Sequence, residues 1–461
     1  MTEIFLFMIF IALLFLTMMR FNQAVVMSVM LIGLLALLIQ KTFFLYVSGG
    51  VLLIEWFAIL FTFLSMLLTF ENVAKGDHAM QPWMMMVIAS LIGVCMIIKS
   101  DHFLSIYVGF ELMSLPMVVM MCIDRFKPKS HVAAWRYFIL TTCGSSLWLL
   151  GMVLLYGLTG EMSLSAAGSI MKVGHYPLMN DGQSFIWVVV IMTLLLSGFT
   201  VKLGLFPMQR WVFDVYRYVP LESLTWLTTV PKLAVWVLLI KTFSVFYGYQ
   251  NMILWLCMPI VIISIVYGSI MAISQRTIRG LLAYSSVAQM GFVMVGCALT
   301  NAHAWTASTF FLIVYMVLSL MMFGLMMRLH RHHDEVIYWS DLNGLYGAYP
   351  AAAWLIFIVM FALAGVPPFL GFITKFAVMM AMVKQGLWTF ALVVMLVSVV
   401  AAFYYLRLVR EVYFTLNDHS EVGVFSFTGR LAKMVMLMMT LGVLVIGIYP
   451  NLLLGLLSGW L

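Results

Sequence analysis

Residues 200–232, TVKLGLFPMQRWVFDVYRYVPLESLTWLTTVPK, set Lys202 and Lys232 into largely apolar sequence and place Gly204 and Pro207 just after the first lysine. An ammonium at bilayer depth costs a few kcal/mol even on lenient scales, so such a residue faces a water-filled path or a partner charge. Gly204 and Pro207 interrupt the helix that carries Lys202, and irregular backbone at that depth survives only where protein buries it or it lines a cavity. A broken helix beside a buried cation reads as a site of ion transport.

Outward from this stretch, apolar runs long enough to cross roughly 30 Å of hydrocarbon as helices recur to both ends of the chain. With 461 residues, 65% hydrophobic and 9% charged, the chain lacks the polar surface of a soluble globule. Continuous apolarity without period-2 alternation argues against a barrel. The reading is an all-α polytopic membrane protein of about fourteen spans: 4–20, 24–40, 52–70, 83–99, 103–123, 132–157, 185–208, 222–245, 251–273, 278–299, 304–328, 350–380, 386–413 and 433–459. The first span follows Glu3, has no basic n-region and no small-residue cleavage site, and so reads as a retained helix.

Fifteen basic residues fall in the odd-numbered loops and five, Lys41, Lys99, Lys172, Lys241 and Lys384, in the even ones. The positive-inside rule then puts the odd loops in the cytoplasm and both termini outside. The formal charge of +7 is thus orientation signal, and nucleic acid is not indicated as a partner. Residues 41–51 and 158–184 are weakly helical and are expected to form short extended or hairpin-like structure. Tryptophans at span ends, Trp83, Trp187, Trp211, Trp255, Trp354 and Trp388, are expected in the interfacial belts. Cys95, Cys122, Cys143, Cys257 and Cys297 are single and far apart, which points to packing rather than a metal site.

Of the 24 lysines and arginines, the loops leave Arg136 near a helix start and Lys202, Lys232 and Lys375 inside spans. Glu111 is the acid that stands far from any loop. At the helical rise, Glu111 lies ~12 Å and Lys232 ~15 Å from the nearer end of its span, close to the midplane. A Glu111–Lys202 ion pair that merely locks two helices is the bland alternative. Buried pairs rarely repay their desolvation, and two further lysines would add nothing to a lock. A buried lysine can give up a proton and arginine cannot, so a row of lysines suits stepwise proton transfer.

A second break, ALAGVPPFLGFITKF at 362–376, carries Gly365, Pro367 and Pro368 before Lys375. The two broken helices, seven and twelve, lie five spans apart, and an odd offset inverts the second copy in the membrane. One integral membrane domain over 1–461 therefore divides into N-terminal helices (1–82), a first five-helix repeat (83–248), an inverted second repeat (250–415) and a C-terminal helix (416–461).

The motifs GFELMSLPMVVM around Glu111, WRYFIL at 135–140, VKLGLFPMQRWVFDVY around Lys202, PKLAVWVLL around Lys232, IRGLLAYSSVAQMGF at 278–292, AGVPPFLGFITKF around Lys375 and FYYLRLVREVYF at 403–414 stand in this order. Together, over about residues 52–415, they resemble the antiporter-like subunits of respiratory complex I, proton-pumping NADH-quinone oxidoreductase. Lys375 and the tyrosine-rich FYYLRLVR look like the N-type branch and not the M-type. The resemblance implies a proton relay along Glu111, Lys202, Lys232 and Lys375, with Arg136, Tyr284, Ser285 and Ser286 in support. It implies no cofactor or metal on this chain, with NADH, flavin, iron-sulfur clusters and quinone in partner subunits. It further implies M-type and K-type membrane subunits as neighbours, in a bacterial cytoplasmic membrane or alternatively a mitochondrial inner membrane. The chain departs from the family where PFHxW becomes Pro207-Met208-Gln209-Arg210 and YSSxxH becomes Tyr284 to Gln289, and where a helix-six lysine is Arg136. Gln209 and Gln289 cannot carry a proton as imidazolium does.

Two other functions fit parts of the pattern. A cation/proton antiporter, or the same module in a membrane-bound hydrogenase, keeps the buried charges but wants clustered oxygen ligands for a sodium ion. A passive spacer predicts that the buried charges tolerate replacement by apolar residues.

Overall fold

The structure is a computed structural model that describes residues 2–18, 23–45, 51–74, 80–124, 127–173, 181–331, 334–335, 338–414, 425–427 and 429–458. Its apolar runs form α1 (Thr2–Met18), α2 (Gln23–Leu45), α3 (Val51–Ala74), α4 (Met80–Lys99), α5 (Phe103–Met121) and α6 (Pro128–Thr159). A short helix, α7 (Leu164–Val173), precedes α8 (Asp181–Leu203), α9 (Arg210–Tyr218), α10 (Leu221–Leu227) and α11 (Val230–Ser244). The second half follows as α12 (Gln250–Ile273), α13 (Ile278–Leu299), α14 (Ala302–Arg328), α15 (Leu345–Ala348), α16 (Pro350–Ala364), α17 (Leu370–Lys384), α18 (Trp388–Phe414), α19 (Arg430–Ile448) and α20 (Asn451–Ser458). Local sequence sets many of these ends. Thr277 and Asn301 accept backbone N–H groups as N-caps of α13 and α14, and Gly160 closes α6 in the left-handed region.

Among the described residues twelve segments are long and apolar enough to cross a membrane. The 17-residue α1 and the interrupted α16–α17 pair account for the other two of the fourteen expected. Close packing rests on small residues, as expected where lipid and side chains are equally apolar. A Cβ added to Gly93 would stand 2.5 Å from the Met113 nitrogen, so α4 and α5 touch backbone to backbone. The α10–α11 segment is buried along its whole length, and α13 and α14 nearly so, while α18 and α19 present most of their surface outward. The central column is therefore α10–α11, α13 and α14, and two of the candidate lysines point into it.

Several expectations change. The break after Lys202 ends α8, and the chain resumes as α9, whose Trp211, Val212, Val215 and Tyr216 are buried against its neighbours α6 and α13. Arg210 and Arg217 thus ride on a helix and not in a loop. Span eight has its own interruption at Thr228–Thr229, in contrast to the unbroken helix expected over 222–245, and Lys232 lies in the first turn of α11 behind Pro231. Within 158–184 Ser163 makes a short antiparallel bridge with His102, the chain then forms α7 where extended structure was expected, and 174–180 lie outside the described residues. The Asp101 carboxylate holds α7, accepting from the Ser163 and Ser165 hydroxyls and the Ser165 N–H. In 41–51, α2 runs on to Leu45, and 46–50 lie outside the described residues. Trp83 and Trp211 are buried in the bundle and not in a belt, Trp211 donating to the Val201 carbonyl at 2.8 Å. A small antiparallel sheet of β1 (Leu329–Arg331), β2 (Asp334–Glu335) and β3 (Phe425–Phe427), ordered β2-β1-β3, joins the end of α14 to the start of α19.

Candidate functional site

Three lysines, Lys202, Lys232 and Lys375, are 7%, 5% and 4% exposed, and none forms an ion pair with a carboxylate among the described residues. Each stands at an interruption of a helix, where freed backbone groups and polar side chains take the place of a carboxylate.

Lys202 lies two residues before Gly204, whose φ of +70° ends α8 in the left-handed region. Its Nζ donates to Ser114 Oγ on α5 at 2.6 Å and sits 4.5 Å from the centroid of the Phe110 ring. Glu111 comes from the same helix α5, but the Glu111–Lys202 ion pair of the bland alternative is not among the ion pairs of the described residues. Glu111 Oε1 is buried with no hydrogen-bond partner. Ser114 occupies Lys202 because it lies one turn past Phe110, whose carbonyl accepts the serine proton at 2.6 Å. The serine oxygen is thereby turned to the ammonium.

Lys232 gathers hydroxyls from three other helices. Its Nζ lies 2.7 Å from Ser286 Oγ on α13, 3.3 Å from the Tyr216 hydroxyl on α9 and 3.3 Å from the Tyr315 hydroxyl on α14. The two tyrosine oxygens in turn reach Ser286 Oγ at 2.9 and 3.0 Å. Ser286 was expected here, but Tyr216 and Tyr315 were not. The available signal was Tyr315 itself, a phenol inside the apolar run FFLIVYMVLSL, since a buried tyrosine hydroxyl needs a partner.

Lys375 occupies the second break. Its Nζ donates to the carbonyl oxygens of Leu363 and Ala364 at 2.9 Å each, the last carbonyls of α16 before Gly365 turns to φ +83°. A cation at a helix C-terminus satisfies orphan acceptors and meets the negative end of the helix dipole. Gln289 on α13 reaches the same Leu363 carbonyl at a long 3.5 Å and the Tyr405 hydroxyl at 3.2 Å. Between the Lys232 and Lys375 groups lies a void with about 10 Å³ of space for the centre of a water molecule, lined among others by Tyr315, Gln289, Thr374 and Lys375.

The supporting residues divide. Ser285 is buried and bonds the Leu282 carbonyl at 3.0 Å. Tyr284 does not join the lysine groups, because its ring stacks on Phe213 and meets Tyr267 edge-on. Arg136 is half exposed and pairs with Asp214 of α9 at 2.7 Å, so its charge is met there and is not directed at Lys202. Gln209 is buried with Oε1 unpartnered. No hydrogen bond among the described residues joins the Lys202 group to the Lys232 group.

Glu111 is also not the one acid enclosed by the protein. Glu55 is fully buried near the start of α3, pairs with Lys41 and lies 3.0 Å from Lys99, two lysines that were assigned to loops. Four residues past the helix start looked superficial, but the ends of α1, α2 and α4 close over it. No group of three or more His, Cys, Asp or Glu side chains that could hold a metal stands together among the described residues.

Residues 100–401 match the NADH:quinone oxidoreductase/Mrp antiporter transmembrane family. The chain is 34% identical over 393 residues to NADH-quinone oxidoreductase subunit N of Francisella tularensis subsp. holarctica, covering 84% of this chain and 78% of the relative. It is 32% identical over 371 residues to the subunit N of Laribacter hongkongensis, covering 79% and 74%. In fold it is similar to a chain of respiratory complex I from Thermus thermophilus with bound aureothin, at TM-score 0.81, 24% identity and full coverage of both chains. It is similar also to a chain of the Mrp complex of Dietzia sp. DQ12-45-1b, at TM-score 0.80 and 18% identity over 99% and 96% of the two chains. The matched region takes in Lys202, Lys232, Lys375 and both glycine breaks, and with the identity to subunits N over most of their length it follows that the chain belongs to the NADH:quinone oxidoreductase/Mrp antiporter family, in its subunit N branch.

Proposed function

We propose that this chain is a proton-translocating membrane subunit of NADH-quinone oxidoreductase, moving protons along Glu111, Lys202, Lys232 and Lys375. The observation that carries the proposal is that the three buried lysines without a carboxylate partner all stand at helix interruptions. Stability does not explain them, since a buried charge costs several kcal/mol that an apolar residue would not. A lysine held by hydroxyls and carbonyls can exchange its proton with water admitted at a break, whereas arginine would hold it.

In this reading the lysines hand on protons while the breaks open and close water access from either side. Inverted units over 83–248 and 250–415 would place the Gly204 and Gly365 breaks on opposite sides of the path. Quinone reduction and the flavin and iron-sulfur steps belong to partner subunits, and this chain carries no redox centre. Its neighbours are M-type and K-type membrane subunits in a bacterial cytoplasmic membrane. Each charge moved against 100 mV requires about 2.3 kcal/mol, which the redox reaction must supply through those neighbours.

The test is proton pumping by inverted membrane vesicles during NADH oxidation, normalised to complex assembled on native gels. Glu111→Gln and Lys232→Met should each lower pumping by about a hundredfold or more, in the range of a lost proton-transfer group, with assembly retained. Wild-type pumping by both assembled variants would show that the buried charges are structural.

A further inference from the structure

Ser286 Oγ has three neighbours able to donate to it, Lys232 Nζ at 2.7 Å and the Tyr216 and Tyr315 hydroxyls at 2.9 and 3.0 Å. A serine hydroxyl accepts two hydrogen bonds and donates one, and an ammonium only donates. Lys232 therefore takes one acceptor site, one tyrosine takes the other, and the second tyrosine must receive the serine's own proton. Both tyrosines cannot donate to Ser286 at once, and the Tyr216 and Tyr315 hydroxyls also lie within hydrogen-bond reach of each other.

In one arrangement Tyr315 donates to Ser286. In the other it accepts from Ser286, and its own O–H turns to an acceptor other than Ser286, with Tyr216, Ser319 and the void within its reach. Tyr315 lines the void that reaches Lys375, and Tyr216 does not. The void's roughly 10 Å³ is about what one water centre needs. Around it stand Lys375, Thr374 and Gln289, three residues with polar side-chain atoms that can hold a water. Ser319, one turn along α14, also approaches the Tyr315 hydroxyl, but it does not line the void.

We propose that Tyr315 and a single water in this void carry the proton between Lys232 and Lys375, and that the Ser286 hydroxyl is the switch that makes the link. The inference rests on the relay reading above and supplies the step that Gln289, lacking a titratable nitrogen, cannot. With Ser286 turned toward Tyr315, the Lys232 ammonium gives a proton to the phenol oxygen while the phenol proton passes to the water. The water passes one of its protons to a neutral Lys375 amine. Tyr315 and the water end neutral, and one proton has moved from one lysine to the other. With Ser286 turned toward Tyr216, Tyr315 donates back into the cluster and the link is broken. Gln289 is held between Tyr405 and the Leu363 carbonyl as a fixed part of the wall.

The test uses the intact complex in membrane vesicles, with pumping normalised to assembled enzyme. Tyr315→Phe keeps the ring and removes the hydroxyl, and should lower pumping about tenfold or more. Val314→Ile adds one methyl group at the void and leaves the hydroxyl in place. It should lower pumping severalfold and raise the solvent deuterium isotope effect on the residual rate, which a merely structural defect would not do. If Tyr315→Phe or Val314→Ile assembles and pumps at the wild-type rate with an unchanged isotope effect while Lys232→Met and Lys375→Met fail, the link runs elsewhere and the relay stands. If the two lysine variants also pump normally, the relay itself falls and this step with it.

Discussion

Lys375 meets two acceptors at 2.9 Å and no carboxylate, and that geometry decides how its substitutions should behave. Arginine in its place keeps a charge and can still reach the α16 carbonyls, but it does not release a proton in the working pH range. Lys375→Arg should therefore pump as poorly as Lys375→Ala. A fixed electrostatic anchor would instead be rescued by arginine. Pumping per assembled complex distinguishes the two, and full activity in the arginine variant removes Lys375 from the list of proton carriers. The same scale shows what side-chain chemistry made legible. Lys202, Lys232 and Lys375 stood out because an ammonium is rare in apolar sequence, whereas Tyr216 and Tyr315 read as ordinary aromatics until α9 and α14 brought their hydroxyls to Lys232.

At the scale of elements, the second break depends on Gly371 as well as on its prolines. A Cβ at Gly371 would collide with the carbonyl oxygen of Ala362, so α17 approaches the end of α16 only because residue 371 has no side chain. Gly371→Ala should push the half-helices apart, move Lys375 off the Leu363 and Ala364 carbonyls, and destabilise the subunit by about 1–3 kcal/mol, the usual range for overpacking. Thermal unfolding in detergent together with vesicle pumping checks this, and unchanged values for both would mean that the contact relaxes freely. The surface helix α7 offers a pH test outside the membrane. Partial burial pushes the Asp101 carboxyl up, but the Ser163 and Ser165 hydroxyls and the Ser165 N–H outweigh it, and the group sits below the usual carboxylate range. A carboxyl lowered in the folded state adds stability that is present above its unfolded value near 4 and is lost as pH falls through the lower folded value. α7 should thus stay anchored at neutral and mildly acid pH and loosen only below about pH 4. Hydrogen exchange over 163–173, corrected for intrinsic rates, should show this loosening in the native chain. Asp101→Asn should be loosened at pH 7 already, and native-like protection in that variant would refute the anchor.

For the whole molecule, orientation follows from the distribution of charge along the chain. Twelve long apolar segments, the shorter α1 and the broken α16–α17 pair give an even number of crossings. That parity predicts both termini on one side, and the excess of basic residues in odd loops predicts that this side is outside. A reporter fused after Leu461 should report from the outer side of the membrane, and a result from the inner side would overturn both the parity and the inside–outside assignment. Glu55 with Lys41 and Lys99 shows the limit of counting charges by loop, since two of the five residues scored as outer-loop cations pair with a buried acid. The asymmetry survives because the odd loops hold three times as many basic residues.

The sequence alone determined the membrane class, the order of spans, the breaks at Gly204–Pro207 and Gly365–Pro368, and that Lys202, Lys232 and Lys375 lie inside. Each of these depends on composition over a single helix length or on the backbone limits of glycine and proline, which act locally. Only the tertiary structure decided what each charge touches. Lys202 faces Ser114 and not Glu111, Tyr284 turns to Phe213, Arg136 is taken by Asp214, and span eight breaks at Thr228–Thr229. Lys232 and Tyr315 are 83 residues apart in sequence, and only the packing of α11 on α14 brings them together. Which helix faces meet is settled by the fit of many side chains at once, and no local pattern carries that information.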